Sequence, residues 1–179
     1  LNDARIRYYR TPTVFALDKS FEYALLHARG AFIFSLGSDD GVYPWALTYL
    51  QQALTAHPQM MLFSWERGLY TWPGLLSHGR SIIKFPLYET DDETPCQYLE
   101  LSTDRQRIID NIDELFYRLP LCYINSGFRR EYLLRLYRGT GRILDGVAQD
   151  TYMGTANLFL NNQVVHLNYP LTTAGMAGS

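Results

Sequence analysis

The order of apolar runs predicts an α/β fold, a mostly parallel sheet flanked by helices, as a single domain over residues 1–179. Three observations carry the prediction. Strand-like and helix-like stretches alternate along the chain, the pattern of parallel strands joined by crossovers. Two strand candidates, "AFIFSL" and "MMLFSW", are apolar at consecutive positions, as strands covered on both faces are. The composition, 47% hydrophobic and 19% charged over 179 residues, suits one buried core and is too apolar for a disordered chain.

Taken in order, "RIRYYR" alternates and reads as a short strand, with "TPT" as a turn after it. A helix follows, with Asp18 or Ser20 as cap, Phe21, Leu25 and Ala28 on one face, and Gly30 at its C-terminus. "AFIFSL" is the first buried strand. Beyond it, Pro44 sits where a first helical turn tolerates a missing N–H, and "WALTYLQQALTAH" carries an apolar stripe that ends before Pro58. "MMLFSW" is the second buried strand. From Glu66 to Pro95 the pattern breaks into hairpin and loop around "SIIKF". An amphipathic helix starts at Asp104, "LCYINS" reads as a strand, "RREYLLRLY" and "QDTYMGTANLFL" as helices, and "QVVHL" as a last strand. The tail "YPLTTAGMAGS" reads as a flexible end or a lid.

Bulk properties exclude several classes. A formal net charge of −2 with interspersed signs offers no basic face, so nucleic acid is not an expected partner. Cys96 and Cys122 have no ligand spacing to each other or to a histidine, which argues against a disulfide framework or a zinc site and for a reducing, cytoplasmic setting. No apolar run reaches the roughly 18 residues of a membrane span. Association with a membrane surface stays open. The aromatic content, 15%, suits either an aromatic core or a surface that grips flat amphipathic ligands.

Asp39 and Asp40 stand in a glycine-flanked turn at the carboxyl end of "AFIFSL", where ligands of open α/β sheets bind. Adjacent carboxylates repel unless a hard cation such as Mg²⁺ or Mn²⁺ offsets them, or unless one serves as a helix cap. Asp150 opens the "QDTYMGTANLFL" helix and suits either a cap or a general base.

The run "RIRYYRTPTVFALDKSFEYALLHARGAFIFSLGSDDGVYPWAL", followed later by "LDGVAQDTYMGTANLFL", closely resembles family 2 glycosyltransferases of the GT-A fold. "SDD" stands in the place of that family's DxD-type motif. The resemblance implies Asp40 as ligand of Mg²⁺ or Mn²⁺ bridging the donor diphosphate, Asp39 near the ribose or metal shell, and Asp150 as catalytic base. It also implies that Gly127 and Arg129, in "INSGFRREYLL", line the donor or acceptor pocket. Two arginines solvated on a helix face are the competing reading. Trp65, Tyr70 and Trp72, in "SWERGLYTWPG", fall on the acceptor side and offer flat rings to a sugar, with core packing as the alternative for at least one of them. The chain starts where about the third strand of such a domain is expected, so the resemblance implies an N-terminally incomplete domain. Many members carry another acid where this chain has Gly37.

The expected function is therefore sugar transfer from a nucleotide-diphosphate donor, a UDP-sugar favoured, to a hydroxyl of a saccharide or lipid-linked acceptor in glycan or polysaccharide synthesis. Transfer is expected to be inverting. The absence of a Gln-x-x-Arg-Trp motif and of a membrane span argues against a processive synthase. A non-catalytic carbohydrate-binding or assembly module is the alternative, and a nucleotidyltransferase the competing enzyme. His27, His57 and His78 are read as structural or surface residues, and His166, in the last strand, as able to approach the metal in such a fold, with a structural role as the favoured alternative.

Overall fold

The computed structural model describes residues 3–75, 79–85, 95–112 and 119–176. The expected helix after Asp104 continues into residues 113–118, and His78 and the last three residues of the tail likewise lie outside the described residues.

The described chain is an α/β unit around one mixed sheet. Strands β1 (Phe32–Phe34), β2 (Gly41–Val42), β3 (Leu62–Thr71), β4 (Ile82–Lys84), β5 (Cys96–Glu100), β6 (Ser126–Arg129) and β7 (Gln163–Met176) are joined by helices α1 (Leu17–His27), α2 (Ala46–Ala56), α3 (Leu101–Asp110), α4 (Arg130–Thr140) and α5 (Gln149–Leu160). The main path runs β1-β6-β3-β7-β2, with β4 beside β3 and β5 beside β7. Among the described residues only the β3–β7 pair is parallel by direct contact; β1 and β3 share a direction because each is antiparallel to β6 between them. The expected mostly parallel sheet is thus replaced by a mixed one. The physical cause is the path of the chain, which reaches β6 from the carboxyl edge of β1 and must run back toward its amino edge.

Alternation along the buried strands sorts side chains into two cores. Leu62 and Val164 face one side with Ile33, Phe128 and the inner faces of α1, α3, α4 and α5. Phe63, Trp65, Val165 and Leu167 face the other, under Ala46, Leu50 and Ala53 of α2. Both "AFIFSL" and "MMLFSW" are therefore covered on two faces, the burial that their unbroken apolar runs require.

Several boundaries differ from expectation. "RIRYYR" forms no strand. α1 has no side-chain cap: Asp18 lies inside its first turn, and the helix ends at Ala28 in extended backbone rather than at Gly30. The segment 121–125 is irregular, and the strand begins only at Ser126. α3 starts at Leu101, ahead of Asp104, because Leu101 is fully buried. β5 was not expected, since its residues do not alternate cleanly. Most of the expected tail is strand instead, as β7 continues to Met176 between β3 and β2. No described helix is long and apolar enough to cross a membrane.

Candidate functional site

The acidic turn follows directly from β1 and is fixed by its own side chains. Gly37 N–H donates to Asp40 Oδ2 at 2.6 Å, and Gly175 N–H of β7 donates to Asp40 Oδ1 at 2.9 Å. Asp40 therefore ties the turn to the carboxyl end of β7. It is not a helix cap: α2 begins after Trp45 with no side-chain cap at all. Two glycines make the approach possible. A Cβ on Gly175 would strike the carbonyl oxygen of Asp39. One on Gly37 would lie 2.7 Å from Tyr123 Oη, 2.9 Å from Asp40 Oδ2 and 3.1 Å from Asp39 Oδ1. Gly37 thus leaves room for three oxygens to crowd together.

Tyr123 is the residue that sequence reasoning missed. Its hydroxyl lies against Asp40, and its phenol is pushed up to about 12, first by burial, then by the charges of Asp40 and Asp39, with Arg67 acting in the opposite sense. Its neighbour Cys122 has a left-handed backbone, φ 53°, unusual for a side-chain-bearing residue and held by two contacts. Cys122 N–H donates to Ser126 Oγ at 3.1 Å, and Ser35 Oγ donates to the Cys122 carbonyl at 3.1 Å. Burial drives the Cys122 thiol up to about 12; Ser35 opposes this and the charge of Asp150 adds to it. The pair 122–123 thus touches Asp40 with one side chain and feels Asp150 with the other.

Asp150 occupies the first turn of α5 and is half-buried, with Oδ1 accepting from Thr151 N–H at 2.8 Å. α5 is pressed onto the loop ahead of β6: Asn157 Nδ2 donates to the Pro120 carbonyl at 2.7 Å, and Gly154 packs against Leu121. That packing holds α5 against the loop that leads into Cys122 and Tyr123. Trp72 meets the turn from β3, its Nε1–H donating to the Asp39 carbonyl at 3.3 Å while 42% of the residue stays exposed.

The other expected site residues lie elsewhere. Arg129 stands at the opposite end of β1, paired with Phe32, and its guanidinium donates to the carbonyls of Met60, Leu54 and His57 at the end of α2. It closes a helix and does not face the acids. Gly127 lies within buried β6 between Phe34 and Phe63, where a Cβ would strike the Phe32 ring. Its role is close packing rather than a turn at a pocket. Trp65 is 1% exposed, with Nε1–H donating to the Ile124 carbonyl and to Thr172 Oγ1 at 2.9 Å each. Core packing is what it does here. His166 is buried between Ser64, at 2.9 Å, and Glu66, at 3.4 Å.

Asp39 and Asp40 are hard oxygen donors. Two carboxylates with a phenol beside them suit Mg²⁺ or Mn²⁺ completed by phosphate and water rather than a metal held wholly by protein. No group of three histidine, cysteine or acidic side chains gathers as a metal site among the described residues. No protein-family model matches this chain, and no curated protein matches it.

Proposed function

We propose that the chain is a GT-A-type glycosyltransferase domain of the family 2 kind, transferring a sugar from a nucleotide-diphosphate donor to an acceptor hydroxyl. One observation supports the reading: Tyr123, whose hydroxyl lies against Asp40, adjoins Cys122, whose thiol feels the charge of Asp150, and both acids are half-buried. Asp39 and Asp40 would hold Mg²⁺ or Mn²⁺, whose charge offsets that of the departing diphosphate. Asp150 is assigned as the base. It accepts the proton of the acceptor hydroxyl as that oxygen bonds to the anomeric carbon and the bond to the diphosphate breaks. Trp72, half-exposed beside the turn, is the ring offered to the acceptor.

A second reading has its own support. Both oxygens of Asp40 already accept backbone N–H groups, so the residue works as a tether whether or not a metal binds, as a non-catalytic carbohydrate-binding module would allow. Titration calorimetry with UDP and Mn²⁺ separates the two. The enzyme reading expects Mn²⁺-dependent binding that Asp40→Asn abolishes while the variant still unfolds cooperatively. Absence of Mn²⁺-dependent binding in the unaltered chain, or unchanged binding in the variant, overturns it.

A further inference from the structure

At the end of β1 remote from the acidic turn, a cavity opens that sugar transfer leaves unused. It measures about 610 Å³, within the roughly 300–1,000 Å³ of small-ligand sites, and lies between residues 5–11 and one face of α1. Ser20, Tyr23, Ala24 and His27, three and four residues apart, form that face. The lining reaches Gly30, ahead of the amino end of β1, whereas the acidic turn follows the carboxyl end. The two are separate places on the molecule.

Among the described residues, every charged side chain lining this cavity is an arginine: Arg5, Arg7 and Arg29. Arg5 is held by Asp3, just outside the lining, but Arg7 and Arg29 are exposed and form no ion pair among the described residues. The acids of α1 are turned away. Asp18 and Glu22 lie on the opposite, buried face with Leu25, where Glu22 Oε2 accepts from the N–H groups of Ile143 and Leu144 and Lys19 sits beside both acids. The carbonyls that end α1 are occupied too: Ala28 N–H donates to those of Ala24 and Leu25, and Arg130 Nε–H to that of Ala28. An anion in the cavity therefore meets guanidinium groups with no carboxylate competing for them, and guanidinium favours phosphate through charge-assisted hydrogen bonds.

A wall of rings stands beside the charge. His27 lies between Tyr9, 4.6 Å away, and Tyr23, 4.2 Å away. Its Nδ1 bonds the Tyr23 carbonyl at 2.7 Å; a carbonyl only accepts, so Nδ1 holds the proton and Nε2 is left for another partner. Tyr9 is 41% exposed and lines the cavity, and a tyrosine ring stacks with any base. The arginines gather around this one cavity in a chain of net charge −2, which gives a nucleic-acid strand no extended basic track. Guanidinium groups for a phosphate and a ring for a flat base, in a cavity of this size, match one chemical class. We propose that the cavity binds a nucleoside monophosphate without metal, as a second site apart from the acids. The inference does not depend on the donor or reaction assigned to Asp39 and Asp40.

Titration calorimetry with AMP in EDTA tests it, with adenosine, inorganic phosphate and a single-stranded oligonucleotide run in parallel. AMP is expected to bind saturably at one site, less tightly at high salt, and adenosine and inorganic phosphate each about tenfold or more weaker. Arg7→Gln with Arg29→Gln, an exposed and unpaired couple, should leave thermal unfolding unchanged and weaken AMP binding by about tenfold or more. Tyr9→Leu should weaken AMP binding by about fivefold or more and leave that of inorganic phosphate as it was. The proposal is overturned if AMP does not bind in EDTA, if adenosine or inorganic phosphate binds as tightly, or if either variant binds AMP like the unaltered protein. It is equally overturned if only the oligonucleotide binds, which would assign the arginines to nucleic acid. With metal absent throughout, failure here leaves the Mn²⁺-dependent binding of UDP expected at Asp40 standing, and failure there leaves this site standing.

Discussion

Cys122 and Tyr123 link the two acidic positions of the site through a strained backbone, and their ionisation follows from where they sit. Each holds its proton more tightly in the fold than in the unfolded chain, so the stability they contribute is complete below the ordinary thiol and phenol values, near 9 and 10, and falls as pH rises toward about 12. Thermal unfolding followed from neutral to alkaline pH should show that decline, and Tyr123→Phe should remove the phenol's share of it. Native alkylation gives a second check: Cys96, half-buried, reacts with iodoacetamide before Cys122, which is buried and reacts only on unfolding. For Asp150→Asn, which retains the oxygen accepting from Thr151 but loses basicity, transfer should fall by on the order of 10²–10⁴-fold while donor affinity persists. Transfer rate and calorimetric affinity measured on the same preparation decide it; undiminished transfer leaves Asp150 a structural acid. The acids themselves were legible because a polar turn closing an apolar strand is a local pattern. Tyr123 was not, because nothing near it in sequence marks a contact with a turn formed so much earlier in the chain.

At the scale of elements, the misplacement of Arg129 is instructive. An arginine opening a helix after a glycine reads locally as an anion site, yet this guanidinium and its neighbour close two other helices. Arg129 bonds the Leu54 carbonyl in the last turn of α2 and the Met60 carbonyl beyond it, and Arg130 Nε–H donates to the Ala28 carbonyl past α1 at 3.1 Å. Both helices also start without a side-chain cap, so the arginine bonds to carbonyls at and beyond their C-terminal ends are side-chain closures that a missing N-cap does not supply. Arg129→Met keeps the stem but strands three part-buried carbonyls. It should cost about 2–4 kcal/mol in denaturant unfolding without altering donor binding, because the site lies at the other end of β1. A loss of donor affinity at unchanged stability would return Arg129 to the site. Helices were the more legible elements, since α2, α4 and α5 carry their stripes in sequence. The strands that depend on distant partners, β5 above all and the far half of β7, were not.

Across the whole molecule, β7 joins core and site. Its first half, through Leu171, supplies Val164 to one core and Val165, Leu167 and Leu171 to the other, while pairing β3 on one side and β5 on the other. Its second half pairs β2 and delivers Gly175 to Asp40. The two halves therefore answer to different demands, and removing them should have different consequences. A chain ending before Gln163 loses the parallel neighbour of β3 and buried side chains from both cores, far more apolar surface than a margin of about 5–15 kcal/mol tolerates, so it should show no cooperative unfolding. A chain ending after Thr172 keeps those side chains and loses the tether. It should unfold cooperatively at lower temperature, with the acidic turn released and Mn²⁺-dependent UDP binding gone. Circular dichroism melting and calorimetry on the two truncations read both outcomes, and retention of binding in the longer one would show that Asp40 needs no anchor on β7 to do its work.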